Sequence, residues 1–138
     1  MYPGPVRVLA AVACIACASP AATAKPPEPP PAPAPPRPEE EARAALFAFS
    51  DSVSGGRWTE AYGMLSARWR ARMTPERLAA DFREAGPIGT RALSRVEALL
   101  ALGAVPQVRG RAATLPVGEG RAAVLVLEDG RWRVDALE

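Results

Sequence analysis

Arg121-Ala122-Ala123-Val124-Leu125-Val126-Leu127-Glu128-Asp129-Gly130-Arg131-Trp132-Arg133-Val134-Asp135-Ala136, residues 121–136, is the stretch whose reading decides the fold. Asp129-Gly130 suits a two-residue type I′ turn, because both central positions of that turn need positive φ. The turn sets Glu128 opposite Arg131. Before it, Ala122 to Glu128 is apolar at nearly every position, as expected of a central strand covered on both faces. After it, Trp132, Val134 and Ala136 alternate toward one side, the period of a strand with one buried face.

Working back toward the N-terminus, Gly118-Glu119-Gly120 reads as another turn and Val108 to Leu115 as a further strand. Val96, Ala98, Leu100 and Leu102 alternate as a long first strand would, although Leu93, Val96 and Leu100 also fit helical spacing. Pro106 separates the two runs.

Upstream the period changes to that of helices. Ala42, Ala45, Leu46, Phe49 and Val53 form one stripe over Glu39 to Ser54. Pro38 suits the entry of that helix, and Glu39, Glu40 and Glu41 complement its positive end. Gly55-Gly56 ends it. A second helix is expected over Arg57 to Arg72, with Trp58, Ala61, Tyr62, Leu65 and Trp69 on its apolar side. A third opens on Thr74 as N-cap and Pro75 at the first position, carries Leu78, Ala79 and Phe82 inward, and stops at Gly86-Pro87. Three helices followed by about four antiparallel strands make an α+β domain over residues 39–138, with the helices packed in a curved sheet.

Composition restricts the chemistry. The chain has no histidine, so the commonest general base and metal ligand are missing. Cys14 and Cys17, its two cysteines, both precede the domain. No catalytic residue, metal ligand set or cofactor motif is found. Arg7, Lys25 and Arg37 are opposed before residue 39 only by Glu28, which leaves 14 basic and 14 acidic residues in the domain. That zero net charge argues against nucleic acid, which demands a basic excess. Lys25 is the single lysine beside sixteen arginines, a bias that fits GC-rich coding.

Residues 1–24 read as an export signal. Arg7 is followed by an uncharged apolar run, Val8 to Ala18, too short to span a bilayer. Two processing routes fit. Signal peptidase would cut after Ala22-Thr23-Ala24. Alternatively Ile15-Ala16-Cys17-Ala18-Ser19 resembles a bacterial lipobox, with Cys17 as the lipidated residue and Cys14 where leucine is preferred. The expected location is the bacterial cell envelope, lipid-anchored and facing the periplasm, or free after secretion. Residues 25–38 read as a proline-rich tether. Proline fixes φ and removes a backbone donor, so neither helix nor sheet forms and polyproline II, at about 3.1 Å per residue, remains.

Gly56-Arg57-Trp58-Thr59-Glu60-Ala61-Tyr62-Gly63-Met64-Leu65-Ser66 resembles the second-helix signature of the nuclear transport factor 2-like superfamily (SnoaL and ketosteroid isomerase-like proteins), and Glu128 to Asp135 resembles its final hairpin. The resemblance spans residues 39–138 and is closest to short exported, lipid-anchored members. It implies a cystatin-like cone whose open end holds an apolar ligand. Enzymes of the superfamily place Asp, His or Tyr in that cone; here Asp51, Asp81 and Asp135 are the aspartates to consider, each on or beside a polar face.

Trp58, Tyr62, Trp69, Phe82 and Trp132 are the candidate ligand-pocket residues, with plain core packing as the other reading of the same set. The leading expectation is a non-enzymatic, envelope-tethered domain binding a protein partner or a small apolar ligand. An isomerase- or cyclase-like enzyme with a buried carboxylate base, and a self-associating homodimer joined through the outer face of the sheet, stand beside it.

Overall fold

In the computed structural model the described residues are 25–32 and 34–137. The signal reading, with Cys14 and Cys17, lies outside them. The chain divides into two units, Met1–Pro33 and Ala34–Glu138. In the first, residues 25–32 are exposed and carry neither helix nor strand.

The second unit is α+β, N-terminal helices followed by a four-stranded antiparallel sheet. Its helices are α1 (Pro38–Ser54), α2 (Trp58–Gly63), α3 (Ala67–Arg70) and α4 (Pro75–Ala101), and its strands are β1 (Gln107–Arg109), β2 (Ala112–Gly118), β3 (Arg121–Glu128) and β4 (Arg131–Leu137). The strands form a meander in the order β1-β2-β3-β4. The sheet is open and not strongly curled.

The final hairpin forms as its sequence dictates. Asp129 and Gly130 have φ of 49° and 72°, and Glu128 pairs with Arg131. β3 is central, bonded to β2 on one side and β4 on the other. α1 also follows its pattern: Ala42, Leu46, Phe49 and Val53 are buried. Together with Leu65, Leu93, Val96, Leu100, Leu115, Leu125, Trp132 and Val134 they make one core between the helices and the sheet.

Several sequence expectations need correction. The expected second helix is interrupted. Met64 to Ser66 leave the helical path to pair with β4, Ser66 N–H donating to Val134 O and Val134 N–H to Met64 O, both at 2.9 Å. These bonds satisfy the backbone of Val134 on the outer edge of β4, which would otherwise be unpaired there. An amphipathic stripe does not report such a long-range pairing.

Next, Gly86-Pro87 bends the third helix instead of ending it. Gly86 takes φ 50° and ψ −128°, and helical geometry resumes at once as far as Ala101. Proline cannot donate to the preceding turn but suits the start of a helix, so Pro87 opens the second run. The strand expected over Val96 to Leu102 is therefore helix. Leu93, Val96 and Leu100 are buried while Leu102 is 85 % exposed, which is helical spacing.

Finally, the strand expected over Val108 to Leu115 is a hairpin. Gly110, at φ 60°, turns the chain between β1 and β2. This restores the count of four strands with different members. With a three-residue edge strand in place of a long first strand, the sheet has too little backbone to wrap the helices as a cone.

The inward register on β4 also shifts. Val134 pairs with Leu125 and Ala136 with Val124, so two steps on β4 match one on β3 and Asp135 is the extra residue of a β-bulge. Beyond the bulge Leu137, opposite buried Ala123, packs on the core, and Ala136 loses the inward place that strict alternation assigned to it.

Candidate functional site

The kink in α4 opens a cavity of about 330 Å³. One wall is the first run of α4, with Leu78, Asp81, Phe82 and Ala85; another is the second run, with Gly89, Ala92 and Leu93. These residues continue a single helical stripe through the bend, and its middle members are small. A Cβ built on Gly89 would stand 3.0 Å from the Ala85 Cβ and 3.8 Å from Phe82 Cδ1, so glycine keeps that wall low. Trp69 of α3, Met73 and the end of β4 from Val134 to Leu137 close the opposite side, and Phe49 and Leu65 form the inner end.

The lining is apolar apart from Asp81 and Asp135. The bulge positions Asp135, and its neighbours hold it there. Its Oδ1 accepts from the Ser66 hydroxyl at 2.6 Å and from Arg68 Nε at 3.2 Å, and its Oδ2 accepts from the Arg68 guanidinium at 2.7 Å. Its backbone carbonyl accepts from the Trp69 indole. The Asp135 side chain is only 20 % exposed, and Ser66 is buried. Asp81 is less enclosed. Its side chain is 39 % exposed, and its Oδ1 lies 2.8 Å from Arg77 Nε one helical turn away.

The five aromatic candidates do not share one site. Trp69 and Phe82 line the cavity. The Arg68 guanidinium lies over the Trp69 ring, 5.4 Å from its centroid, a cation–π arrangement. Trp58 packs on Phe82 with ring centroids 5.8 Å apart. It stands in a second, polar groove with Arg57, Glu60, Pro75, Glu76 and Arg83, where Arg57 is paired with both Asp51 and Glu60. Tyr62 is half-buried and its hydroxyl donates to Arg70 O at 2.9 Å, tying α2 to the end of α3. Trp132 is a core residue, 7 % exposed, paired across the hairpin with Leu127, and its indole N–H has no partner among the described residues.

The sequence pattern puts Asp81 and Asp135 on or beside polar faces. The structure brings both to the cavity, Asp135 through the bulge. Asp51 lies instead in the Arg57 ion pair. Sequence reasoning missed Ala85, Gly89 and Ala92. Their signal was small residues at helical spacing, hidden by taking Gly86-Pro87 as a stop.

Among the described residues no helix is long and apolar enough to cross a membrane, and no three Cys, Asp or Glu side chains gather as a metal site would require. Compared with family models, with curated proteins and with solved structures, the chain matches none.

Proposed function

We propose that residues 39–138 are a non-enzymatic binding domain, held at the bacterial cell envelope by the proline-rich segment and Cys17, whose cavity takes a small apolar ligand. The cavity carries this reading: about 330 Å³, with a lining apolar except for two carboxylates, at the lower end of volumes typical of small-molecule sites. Helices followed by an antiparallel meander are consistent with the nuclear transport factor 2-like resemblance, which belongs to the same proposal; the open sheet is a departure from that family's cone.

Binding without chemistry is the better-supported reading of the carboxylates. A carboxylate base needs a shielded group with free lone pairs. Asp135 is the more shielded of the two, and donors occupy both of its oxygens. Asp81 is open to solvent and ion-paired.

Titration calorimetry with 1-octanol tests the proposal. Saturable binding is expected for the full chain and should be lost in Gly89→Leu, whose side chain fills the cavity. Absence of saturable binding to the parent protein overturns it.

The outer face of the sheet favours a second reading, self-association. Cross-strand pairing places Ala122, Val124 and Val126 of β3 beside Thr114 and Pro116 of β2, with Arg133 at one end. Ala122, Val124 and Val126 are half-buried within the single chain and Pro116 is exposed. A concentration-independent monomer in sedimentation would remove this reading.

A further inference from the structure

We infer that the ligand of the α4 cavity is an amphiphile with an apolar body and a cationic end, and that Asp81 is the residue that reads its charge. This rests on the cavity being a binding site, as proposed above. The body follows from size: 330 Å³ filled at protein-like density holds on the order of ten non-hydrogen atoms. The charge follows from the lining. Both ionisable residues that line the cavity are acidic, and neither arginine that pairs with them forms part of its wall. An anionic end would meet two carboxylates at close range.

The two carboxylates differ in what they have left to offer. Asp135 is committed to the fold, with Ser66 and Arg68 on its oxygens. Among the described residues Asp81 has one ion-pair partner, Arg77, which meets one of its two oxygens within the same helix. That pair is exposed on both sides, 60 % for Arg77 and 39 % for Asp81, and such pairs contribute little. An ammonium group can take the second oxygen or replace Arg77 at modest cost. The aromatic walls add to the preference. Phe82 follows Asp81 in sequence, and the Trp69 ring already accepts one cation, Arg68.

Three probes with the same tail separate this from generic apolar binding: n-octylammonium, 1-octanol and n-octanoate, titrated into the full chain at low salt. Octylammonium should bind about fivefold more tightly than octanol, the scale of one partly exposed charge pair, and octanoate most weakly. The advantage should shrink at high salt as screening sets in. Asp81→Asn should bring octylammonium to the octanol level, with circular dichroism reporting that the variant is folded. Arg77→Gln should strengthen octylammonium by removing its competitor. Octanoate binding as tightly as octylammonium, or an octylammonium advantage that survives Asp81→Asn, overturns the inference while leaving apolar binding intact. If none of the three binds, the cavity is not a ligand site and both readings fall.

Discussion

The Ser66 hydroxyl donates to Asp135 Oδ1 at 2.6 Å, a contact that joins residues 69 apart in the chain. It fixes the start of α3 to the bulge of β4, and the same carboxylate holds Arg68. The cavity wall made by Trp69 is therefore set by one aspartate at the end of the sheet. Because Ser66 is buried, losing its acceptor leaves a hydroxyl without a partner, and hydrogen bonds to charged groups are worth about 1.5–3 kcal/mol. Asp135→Ala, which removes the acceptor, should lower the unfolding free energy by about that amount in urea, and Asp135→Asn, whose amide oxygen still accepts from Ser66, by less. A loss below about 0.5 kcal/mol, ordinary for a surface site, would show that the carboxylate does not organise this corner.

Trp58 and Trp132 should separate in stability. Trp132 is buried in the core opposite Leu127, and removing a large core side chain costs about 3–5 kcal/mol. Trp58 is half-buried in the polar groove and touches Phe82 along one side. Trp58→Ala should cost roughly 1–2 kcal/mol. Equal losses for the two variants in chemical denaturation would contradict the placement of one in the core and the other at its margin.

The bend in α4 depends on Gly86. At φ 50° and ψ −128° any residue with a Cβ is strained, by about 1–3 kcal/mol. Nothing lies within 4 Å of the position a Cβ would occupy, so the cost is conformational and not steric crowding. Gly86→Ala should therefore reduce stability, whereas Gly63→Ala, also uncrowded but within the helical α2, should be neutral or stabilising. If Gly86→Ala leaves stability unchanged, the chain does not need this conformation at the bend.

Acid should release the contact between the second run of α4 and the β2–β3 turn. Arg95 holds both Glu119 oxygens, at 3.0 and 3.1 Å. This keeps the Glu119 carboxyl below its ordinary range, first through the hydrogen bonds and then through the charge of Arg95. A lowered folded-state pKa means the contact's contribution is present above the ordinary Glu pKa and is lost as pH falls through the lowered one. In a carboxyl-detected NMR titration, Arg95→Gln should move the Glu119 midpoint upward toward the ordinary value. A midpoint identical in parent and variant would refute the contact.

The proline-rich segment should be dispensable for folding. Residues 26–32 are exposed and carry no regular structure. Deleting them should leave the melting temperature of the domain in place. A fall of ~4–8 °C, which corresponds to about 1 kcal/mol in a domain this size, would mean that the segment contributes packing.

What could be read from residues alone was whatever short-range physics decides. Asp129-Gly130 turns because positive φ is needed at both positions, and Asp129 and Gly130 supply it. Thr74 caps α4 because its side chain can accept from Arg77 N–H, and Pro75 loses nothing at the first position. The stripe of α1 and the central place of β3 follow from which side chains must leave water. The parts that make the site needed partners distant in the chain. Met64 to Ser66 abandon a helical pattern because β4 offers its edge. Asp135 faces the cavity because β3 and β4 fall out of step at one residue. Gly86-Pro87 ends a helix or bends it according to whether Leu93, Val96 and Leu100 can reach the core, and they do. A local pattern fixes which residues are buried. Where a carboxylate points, and how much space is left beside it, depends on the backbone hydrogen bonds that tertiary neighbours complete.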